Sequence, residues 1–201
     1  METTIKTTPI TGTHSAIPAE AKIFLTDYGS SNDGTQFEFG HWVHLDRFAD
    51  ADELNAYIAK HFKEADKKSP LGYGSIREEI MITDFEGFPK SLYSESWCNF
   101  ELLFEYFERL SSCGYNAEIV EAYESLGSYK LENIDQFFEA LEESYSGEFS
   151  SDDDFAEDMA EQCGQIQDNL QWPYTHINWK QAAYELMFDY YEQDGHYFRA
   201  Y

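Results

Sequence analysis

Rows of glutamate at helical spacing are the most distinctive chemistry-bearing pattern in this sequence. One row is Glu101, Glu105 and Glu108 (i, i+4, i+7), and a second is Glu118, Glu121 and Glu124 (i, i+3, i+6). Both spacings align carboxylates along one side of a helix, with successive members about 4.5 to 6 Å apart along its axis. Like charges so placed destabilise an isolated helix by about 0.2 to 0.5 kcal/mol per pair. Helix stability therefore does not explain these rows, and their presence predicts another role for the aligned carboxylates.

Other arrangements that could do chemistry are much less specific. Paired carboxylates among many aromatic side chains are typical of glycosidases, but a chain with 39 Asp and Glu always offers a suitable pair. His41 and His44 lie three residues apart on a predicted strand, so their side chains point to opposite faces. Residues 27–38 begin and end like a calcium loop but carry Asn32 where that loop needs glycine. No phosphate-loop, nucleophile-elbow or dinucleotide motif is present. The sequence thus predicts no catalytic residue, no metal and no cofactor.

Cysteine usage and hydropathy indicate the compartment. Cys98, Cys113 and Cys163 are far apart and form no CxxC pair, which argues against a disulfide framework and a zinc site. The chain has no signal-peptide pattern and no run approaching the roughly 18 apolar residues of a membrane span. We expect a cytoplasmic protein.

Charge is the outlying property of the composition. The chain has 39 Asp and Glu against 13 Lys and Arg, a net charge of −26. Up to Lys90 the net charge is −6, whereas from Ser91 onward it is −20. Between Leu110 and Trp179, Lys130 alone faces 16 carboxylates. Because salt adaptation would spread acid evenly, this concentration favours a basic groove as partner, and it argues against nucleic acid and anionic membranes. A merely solvated acidic face remains the alternative.

The composition also predicts a folded chain of mixed secondary structure. Hydrophobic residues make up 42% and aromatic residues 17%, too many for a disordered acidic segment. Periodicity predicts strands over 22–28, 37–45, 79–84 and 196–201, and helices over 51–62, 97–110, 117–126, 133–145, 152–163 and 178–190. We expect an α+β fold with a flexible leader (1–20), a sheet-and-helix domain (21–90), a helical middle domain (91–130) and a C-terminal α+β domain (131–201).

Three stretches of the sequence form recognisable motifs. The first runs from a strand through Asn32-Asp33-Gly34 to Gly40, Trp42 and an acidic residue. The second is Asp84-Phe85-Glu86-Gly87-Phe88, and the third contains Tyr145-Ser146-Gly147-Glu148-Phe149 followed by an acidic segment. Together they resemble the ArdA antirestriction family, the second its "D-aromatic-E-G-F" signature and the third its antirestriction motif region. The likeness covers nearly everything from Ala21 onward.

The resemblance implies more than composition does. It implies an elongated chain of three small domains that imitates bent B-form DNA and inhibits Type I restriction-modification enzymes. It also implies carriage on mobile elements and a homodimer formed through the C-terminal domain, with the dimer contact near Phe138, Leu141, Tyr145, Phe149 and Phe155. The Thr-rich leader and the cluster of Lys60, Lys63, Lys67 and Lys68 depart from the family pattern.

Residue pattern and resemblance together predict a non-enzymatic inhibitor whose carboxylates occupy a DNA-binding groove. The predicted mimic charges are Asp84, Glu86, Glu101, Glu105, Glu108, Glu118, Glu121, Glu124, Glu132, Asp135, Glu139, Glu142, Asp152, Asp153, Asp154, Glu157 and Asp158. The alternatives are an acidic adaptor for another basic protein and, ranked last, a carboxylate-dependent glycosidase.

Overall fold

The chain forms a mixed α+β structure, as its pattern predicts. The computed structural model describes residues 17–94, 96–166, 169, 171–172 and 175–200. These residues form eight α-helices and three small antiparallel sheets. The chain divides into two compact units, Met1–Ser112 and Cys113–Tyr201. The predicted division into three domains stays a prediction, and most of the predicted leader lies outside the described residues.

A three-stranded sheet forms the centre of the first unit. Strand β1 (Lys22–Asp27) pairs antiparallel with β2 (His41–His44) on one side and β3 (Ile80–Glu86) on the other. Ile23 and Leu25 of β1 are fully buried, because the central strand is covered by neighbouring elements. Ile17, at the end of the predicted leader, is also buried.

Helix α3 (Ala51–Lys68) supplies the largest apolar face of the first unit. Asp50 caps it by accepting a hydrogen bond from the backbone N–H of Glu53, and the Glu53 carboxylate accepts one from the N–H of Ala49. The two hydrogen bonds form a variant of the capping box, with Asp in place of the usual Ser or Thr. Leu54, Ile58 and Phe62 recur at helical spacing and are buried, so the predicted helix is confirmed and extends further than expected.

The predicted strand over 37–45 is wrong in its first part. Two short helices, α1 (Tyr28–Asn32) and α2 (Gln36–Phe39), precede β2. Phe37 is 76% exposed, and the Phe39 ring lies 4.9 Å from the Arg77 guanidinium carbon. The alternation of aromatic residues is typical of a strand, but contacts with residues far along the chain favour a helical turn here.

The first unit ends with a small hairpin and a helix. Strands β4 (Tyr93–Ser94) and β5 (Trp97–Cys98) pair antiparallel, and α4 (Phe100–Ser112) follows. The prediction that the helix begins at Trp97 is wrong, since the Asn99 side chain accepts a hydrogen bond from the N–H of Leu102 and marks the helix start.

The second unit is built around another three-stranded sheet. Its strands are β6 (Tyr145–Glu148), β7 (Tyr190–Gln193) and β8 (His196–Arg199), in the order β6-β8-β7. Its helices are α5 (Ala117–Ser125), α6 (Ile134–Ser144), α7 (Asp152–Gln162) and α8 (Trp179–Leu186). Asn133, Ser151 and Asn178 cap three of them through side-chain oxygens. The predicted helices therefore exist, and α6 agrees with its predicted bounds to within one residue. Helix α8 ends at Leu186, before the predicted end at Tyr190, because Tyr190 begins strand β7.

The two faces of this second sheet are covered by different helices. Phe198 packs 5.2 Å from Tyr123 of α5, which in turn packs 5.2 Å from Phe137 of α6. The adjacent Tyr197 stacks 4.4 Å from Phe155 of α7. Because neighbouring strand residues point to opposite faces, α5 and α6 cover one face and α7 covers the other.

A buried charge network ties the first unit together. Arg77 and Asp27 are 6% and 1% exposed. The Arg77 guanidinium donates to the Ser30 hydroxyl (2.9 Å), to Asp66 (2.8 Å) and to the Ser69 carbonyl (2.8 Å), and its Nε lies 3.5 Å from Asp27 Oδ2. Asp27 also caps α1 through the Ser30 N–H. One cation thus links β1, α1, α3 and the segment before β3.

Two histidines, His41 of β2 and His61 of α3, lie side by side. His41 Nδ1 and His61 Nε2 both contact the Phe39 carbonyl, at 3.0 and 2.9 Å, and their ring centroids are 4.2 Å apart. Burial is the main cause that lowers the pKa of each histidine. For His41 the neighbouring His61 lowers the pKa further, against the contact with Phe39. For His61 the Phe39 carbonyl, Glu64 and Asp27 oppose the fall, and Lys68 supports it.

Removing the buried guanidinium should destabilise the first unit strongly. Arg77→Met leaves the Asp27 carboxylate buried without its cation, which costs about 3–5 kcal/mol of unfolding free energy. Urea denaturation of the variant measures this loss, and Arg77→Met combined with Asp27→Asn should recover part of it. A loss under about 1 kcal/mol for the single variant would contradict the role given to this network.

The histidine pair should make the protein less stable as pH falls. Because each folded-state pKa lies below its ordinary value of 6.5, the unfolded chain binds more protons below that pH. The contribution of the two neutral histidines to the unfolding free energy is therefore fully present above pH 6.5. It declines as pH falls toward the folded-state pKa values. Urea denaturation between about pH 7.5 and about 5.5 should show a shallower decline for His61→Phe than for the exposed control His176→Gln. Equal slopes would argue against the pair.

Candidate functional site

All 17 predicted mimic carboxylates lie at the protein surface. Fourteen are exposed, and three are half-buried, namely Glu124, Asp153 and Asp158. Asp84 and Glu86 belong to β3, the glutamates of the first row to α4, and the rest to the second unit. The structure therefore presents every one of them to solvent.

The rows follow from the amphipathic pattern of each helix. In α4 the apolar face buries Phe100, Leu103 and Phe107, so the row of Glu101, Glu105 and Glu108 projects on the other side. Helix α6 buries Ile134, Phe137, Phe138, Ala140 and Leu141, and its exposed side carries Asp135, Glu139 and Glu142 at i, i+4 and i+7. Helical periodicity thus forces these carboxylates outward in rows.

Three consecutive aspartates open α7, and helix energetics explain them. Asp152, Asp153 and Asp154 lie in the first turn, where the partial positive charge of a helix N-terminus favours acids. Asp152 also accepts a 2.7 Å hydrogen bond from the Tyr197 hydroxyl. Hydrogen bonds from Ser150 and Ser151 lower the pKa of Asp154. These three acids therefore contribute to the fold whatever they bind.

Acids also lie in the last turns of three helices of the second unit, where the helix dipole does not favour them. Glu124, Glu142 and Glu161 lie in the last turns of α5, α6 and α7, none of which carries a basic residue there. An acid at a helix C-terminus meets the negative end of the dipole and is unfavourable by about 0.3–1 kcal/mol. Glu161, which is exposed, was absent from the predicted set, although its i, i+4 spacing from Glu157 could have identified it. These positions are the best candidates for acids retained for binding.

The acids of the second unit lie on two sides of its sheet. Helices α5 and α6 lie on one side of the sheet and expose their acids on that side, whereas α7 exposes its acids on the opposite side. The structure therefore brings Asp135, Glu139 and Glu142 into one row, but it separates that row from Glu157 and Asp158. The unit presents negative charge in two directions.

Tyrosines of the second unit report the negative field. Burial is the main cause that raises the pKa values of Tyr115, Tyr145 and Tyr197. Carboxylates contribute in each case, Glu142 at Tyr115, Glu148 at Tyr145 and Asp152 at Tyr197. A phenolate is disfavoured at all three, mainly because burial opposes a charge there and also because it would lie near existing negative charge.

The residues predicted for a dimer contact lie mainly in the core. Phe138, Leu141 and Phe155 are fully buried within the second unit. Tyr145 and Phe149 are partly exposed and pack on Phe198 and Tyr197. In this structure these side chains hold the sheet and helices together, and a dimer contact stays a prediction.

The Asp84–Phe88 motif combines structural and exposed residues. Gly87 has a φ of +80°, and a Cβ atom there would lie 2.7 Å from the Ala21 backbone. Phe88 is buried, whereas Asp84 and Glu86 are exposed, and Glu86 forms a 2.8 Å ion pair with Lys22. Close backbone approach therefore explains the glycine, and the two acids are left at the surface.

The segment from Tyr145 to Phe149 depends on a glycine in a similar way. Gly147 has a φ of +127°, and the register of β6 with β8 shifts between Tyr145 and Gly147. A Cβ atom at this position would lie 2.8 Å from the Phe149 ring. The bulge leads the chain directly into the cap of α7.

The described residues offer few groups suited to catalysis. Cys98, Cys113 and Cys163 are thiols and not disulfides. Burial raises the pKa of the Cys98 thiol to about 12, which leaves it protonated. Among residues with a described placement, no three His, Cys, Asp or Glu are grouped to hold a metal ion. His41 and His44 contact different partners, the former Tyr57 and the latter the Ala19 carbonyl. Across the described ranges, no helix is both long and apolar enough to cross a membrane.

Comparison with known proteins identifies the family. A family model described as antirestriction protein (ArdA) matches residues 23–199. A search of curated proteins and a search of solved structures each found no match. Because the matched residues make up nearly the whole chain, and the three motif stretches fall inside them, this chain belongs to the ArdA family of antirestriction proteins.

Proposed function

We propose that this protein inhibits Type I restriction-modification enzymes by occupying their DNA-binding groove with carboxylates that imitate the phosphates of duplex DNA. The observation that carries the proposal is the outward placement of acids on helices, including last-turn acids that helix stability opposes. Membership of an antirestriction family supplies the class of partner.

The charge density of the second unit supports imitation of duplex DNA. It has 20 Asp and Glu against 3 Lys and Arg, a net charge of −17 over 89 residues. Duplex DNA carries one charge per about 1.7 Å, so this charge corresponds to about 29 Å of duplex. A compact unit of that length has a radius of gyration of about 12 Å and is about 30 Å across. The unit is therefore charged about as densely as DNA of its own length.

Binding in this proposal needs no chemical step by the inhibitor. Lysines and arginines of the groove pair with carboxylates instead of phosphates, and DNA is excluded because both ligands need the same cations. Charge on two sides of the sheet suits an enzyme cleft that surrounds DNA. Each exposed pair contributes about 0.2–1 kcal/mol, so affinity depends on many contacts and falls with added salt.

Competition with duplex DNA tests the proposal directly. Inhibition of DNA cleavage by a purified Type I enzyme should decrease as unlabelled duplex or salt is added. Inhibition that duplex DNA does not relieve, and that high salt leaves intact, would favour an acidic adaptor binding elsewhere on a basic protein.

Neutralising the last-turn acids should weaken inhibition while stabilising the fold. Combining Glu124→Gln, Glu142→Gln and Glu161→Gln removes three groove contacts of roughly 0.5 kcal/mol each, which predicts roughly tenfold weaker inhibition. The same change relieves dipole repulsion and should raise the unfolding free energy by about 1 kcal/mol.

The matched control neutralises three exposed glutamates of the first unit, Glu20→Gln, Glu38→Gln and Glu79→Gln. It should change inhibition less than threefold, because charges outside the proposed groove contacts act on the enzyme only through a field that salt screens. Equal loss of inhibition in both triple variants would show that net charge alone matters. Loss of inhibition from a single Glu→Gln change would instead indicate a specific pocket.

A further inference from the structure

Three lysines on helix α3 form a cationic face on an otherwise acidic protein. Lys60, Lys63 and Lys67 are exposed and follow the spacing i, i+3 and i+7, which places them within about 60° of one another around the helix. Among the described residues, none of the three ammonium groups forms an ion pair. In a chain of net charge −26, unpaired cations on one face indicate an anionic partner for that face.

An open apolar groove adjoins this lysine face. It has a volume of about 670 Å³, and Ile58, Phe62, Ile76 and Ile80 contribute apolar lining beside Lys63 and Lys67. Ile76 is 57% exposed, although isoleucine side chains are usually buried. The groove therefore fits an apolar side chain carried by a segment whose charge complements the lysines.

The acids near the groove reduce its cationic charge without cancelling it. Asp66 lines the groove and accepts hydrogen bonds from the guanidinium and the backbone N–H of Arg77. Because Arg77 also pairs with Asp27, these two carboxylates and the guanidinium together keep one negative charge. Glu78 in the lining and Glu64, four residues after Lys60 on the helix, add one negative charge each. Lys60, Lys63, Lys67 and the neighbouring exposed Lys68 carry four positive charges, one more than these acids.

Uniform negative charge gives a DNA mimic no means of choosing among basic grooves. Discrimination needs contacts that the wrong partner cannot make, and a phosphate backbone offers no cations at all. Replacing the lysines by acids would bring the surface closer to DNA, so imitation by itself gives no reason to keep them. A contact that DNA lacks would explain them.

We propose that the lysine face and the adjoining groove bind an acidic segment with an apolar side chain on the surface of the inhibited enzyme, outside its DNA groove. This inference rests on the proposed function, because the enzyme supplies the acidic segment. Ammonium groups of the lysine face pair with its carboxylates, and its apolar side chain packs on the exposed Ile76 and the half-buried Ile80. The first unit then selects the enzyme, and the acids of the second unit exclude DNA.

Charge reversal separates this proposal from imitation alone. Lys60→Glu, Lys63→Glu and Lys67→Glu together make the protein more DNA-like, so imitation alone predicts equal or stronger inhibition. The proposed contact predicts the reverse, a half-inhibitory concentration raised at least roughly tenfold, since three attractive pairs become repulsive. The measurement is inhibition of DNA cleavage by a purified Type I enzyme at fixed salt.

Matched variants control for charge, folding and the apolar contact. Lys90→Glu, Lys130→Glu and Lys180→Glu make the same charge change at exposed lysines elsewhere and should inhibit at least as well as the native protein. Lys60→Gln, Lys63→Gln and Lys67→Gln, which keep side chains favourable in helices, should raise the half-inhibitory concentration roughly threefold. Ile76→Ser, at an exposed site, should raise it by a similar factor. Circular dichroism and thermal unfolding verify that each variant is folded.

The outcomes test the lysine-face contact separately from the proposed inhibition of the restriction enzyme. A native protein that does not inhibit, or that duplex DNA does not displace, overturns the proposed function and this contact with it. A native protein that inhibits in competition with DNA, while the folded Gln and Glu variants of the lysine face inhibit equally well, overturns the contact alone.

Discussion

Repulsion among carboxylates is the constraint that the rest of this structure depends on. Two charges 4 Å apart interact by about 1 kcal/mol in water and by several times more in the protein interior. The 17 predicted mimic acids therefore have to remain at the surface, and none of them is buried. The opposing contribution comes from aromatic packing. Phe137, Phe138, Phe155 and Phe198 are fully buried in the second unit, and each contributes about 1.5–3 kcal/mol.

The two units use charge in different ways. The first has 19 Asp and Glu against 10 Lys and Arg, a net charge of −9, whereas the second has −17. In the first unit Arg77 lies inside the fold and holds Asp27 and Asp66, so part of its charge specifies structure. In the second unit, rings on β8 hold the helices, through Tyr197 and Phe198. Apolar packing there leaves the carboxylates available to solvent and to a partner.

Position along a helix separates acids that stabilise the fold from acids that do not. Asp152 and its two neighbours begin α7, where the helix dipole favours them, so their presence needs no functional explanation. Glu142 lies in the last turn of α6, which has no basic residue, and the helix dipole opposes its charge. The physical chemistry of the helix thus ranks the candidates, which a count of acids cannot do. The same criterion adds Glu161, which the sequence prediction left out.

Local spacing determined much of this protein from sequence alone. The amphipathic helices and the family motifs depend on residues a few positions apart, and the regional excess of acid follows directly from the composition. Only the tertiary structure decided the rest, because the deciding partners lie far along the chain. Phe37 to Phe39 form a helical turn, against their alternation, where Arg77 and His61 contact Phe39. Likewise, α7 packs opposite α5 and α6 because Tyr197 and Phe198 point to opposite faces of one strand. Sequence spacing shows which side of a helix is acidic, but contacts between distant residues decide in which direction that side looks.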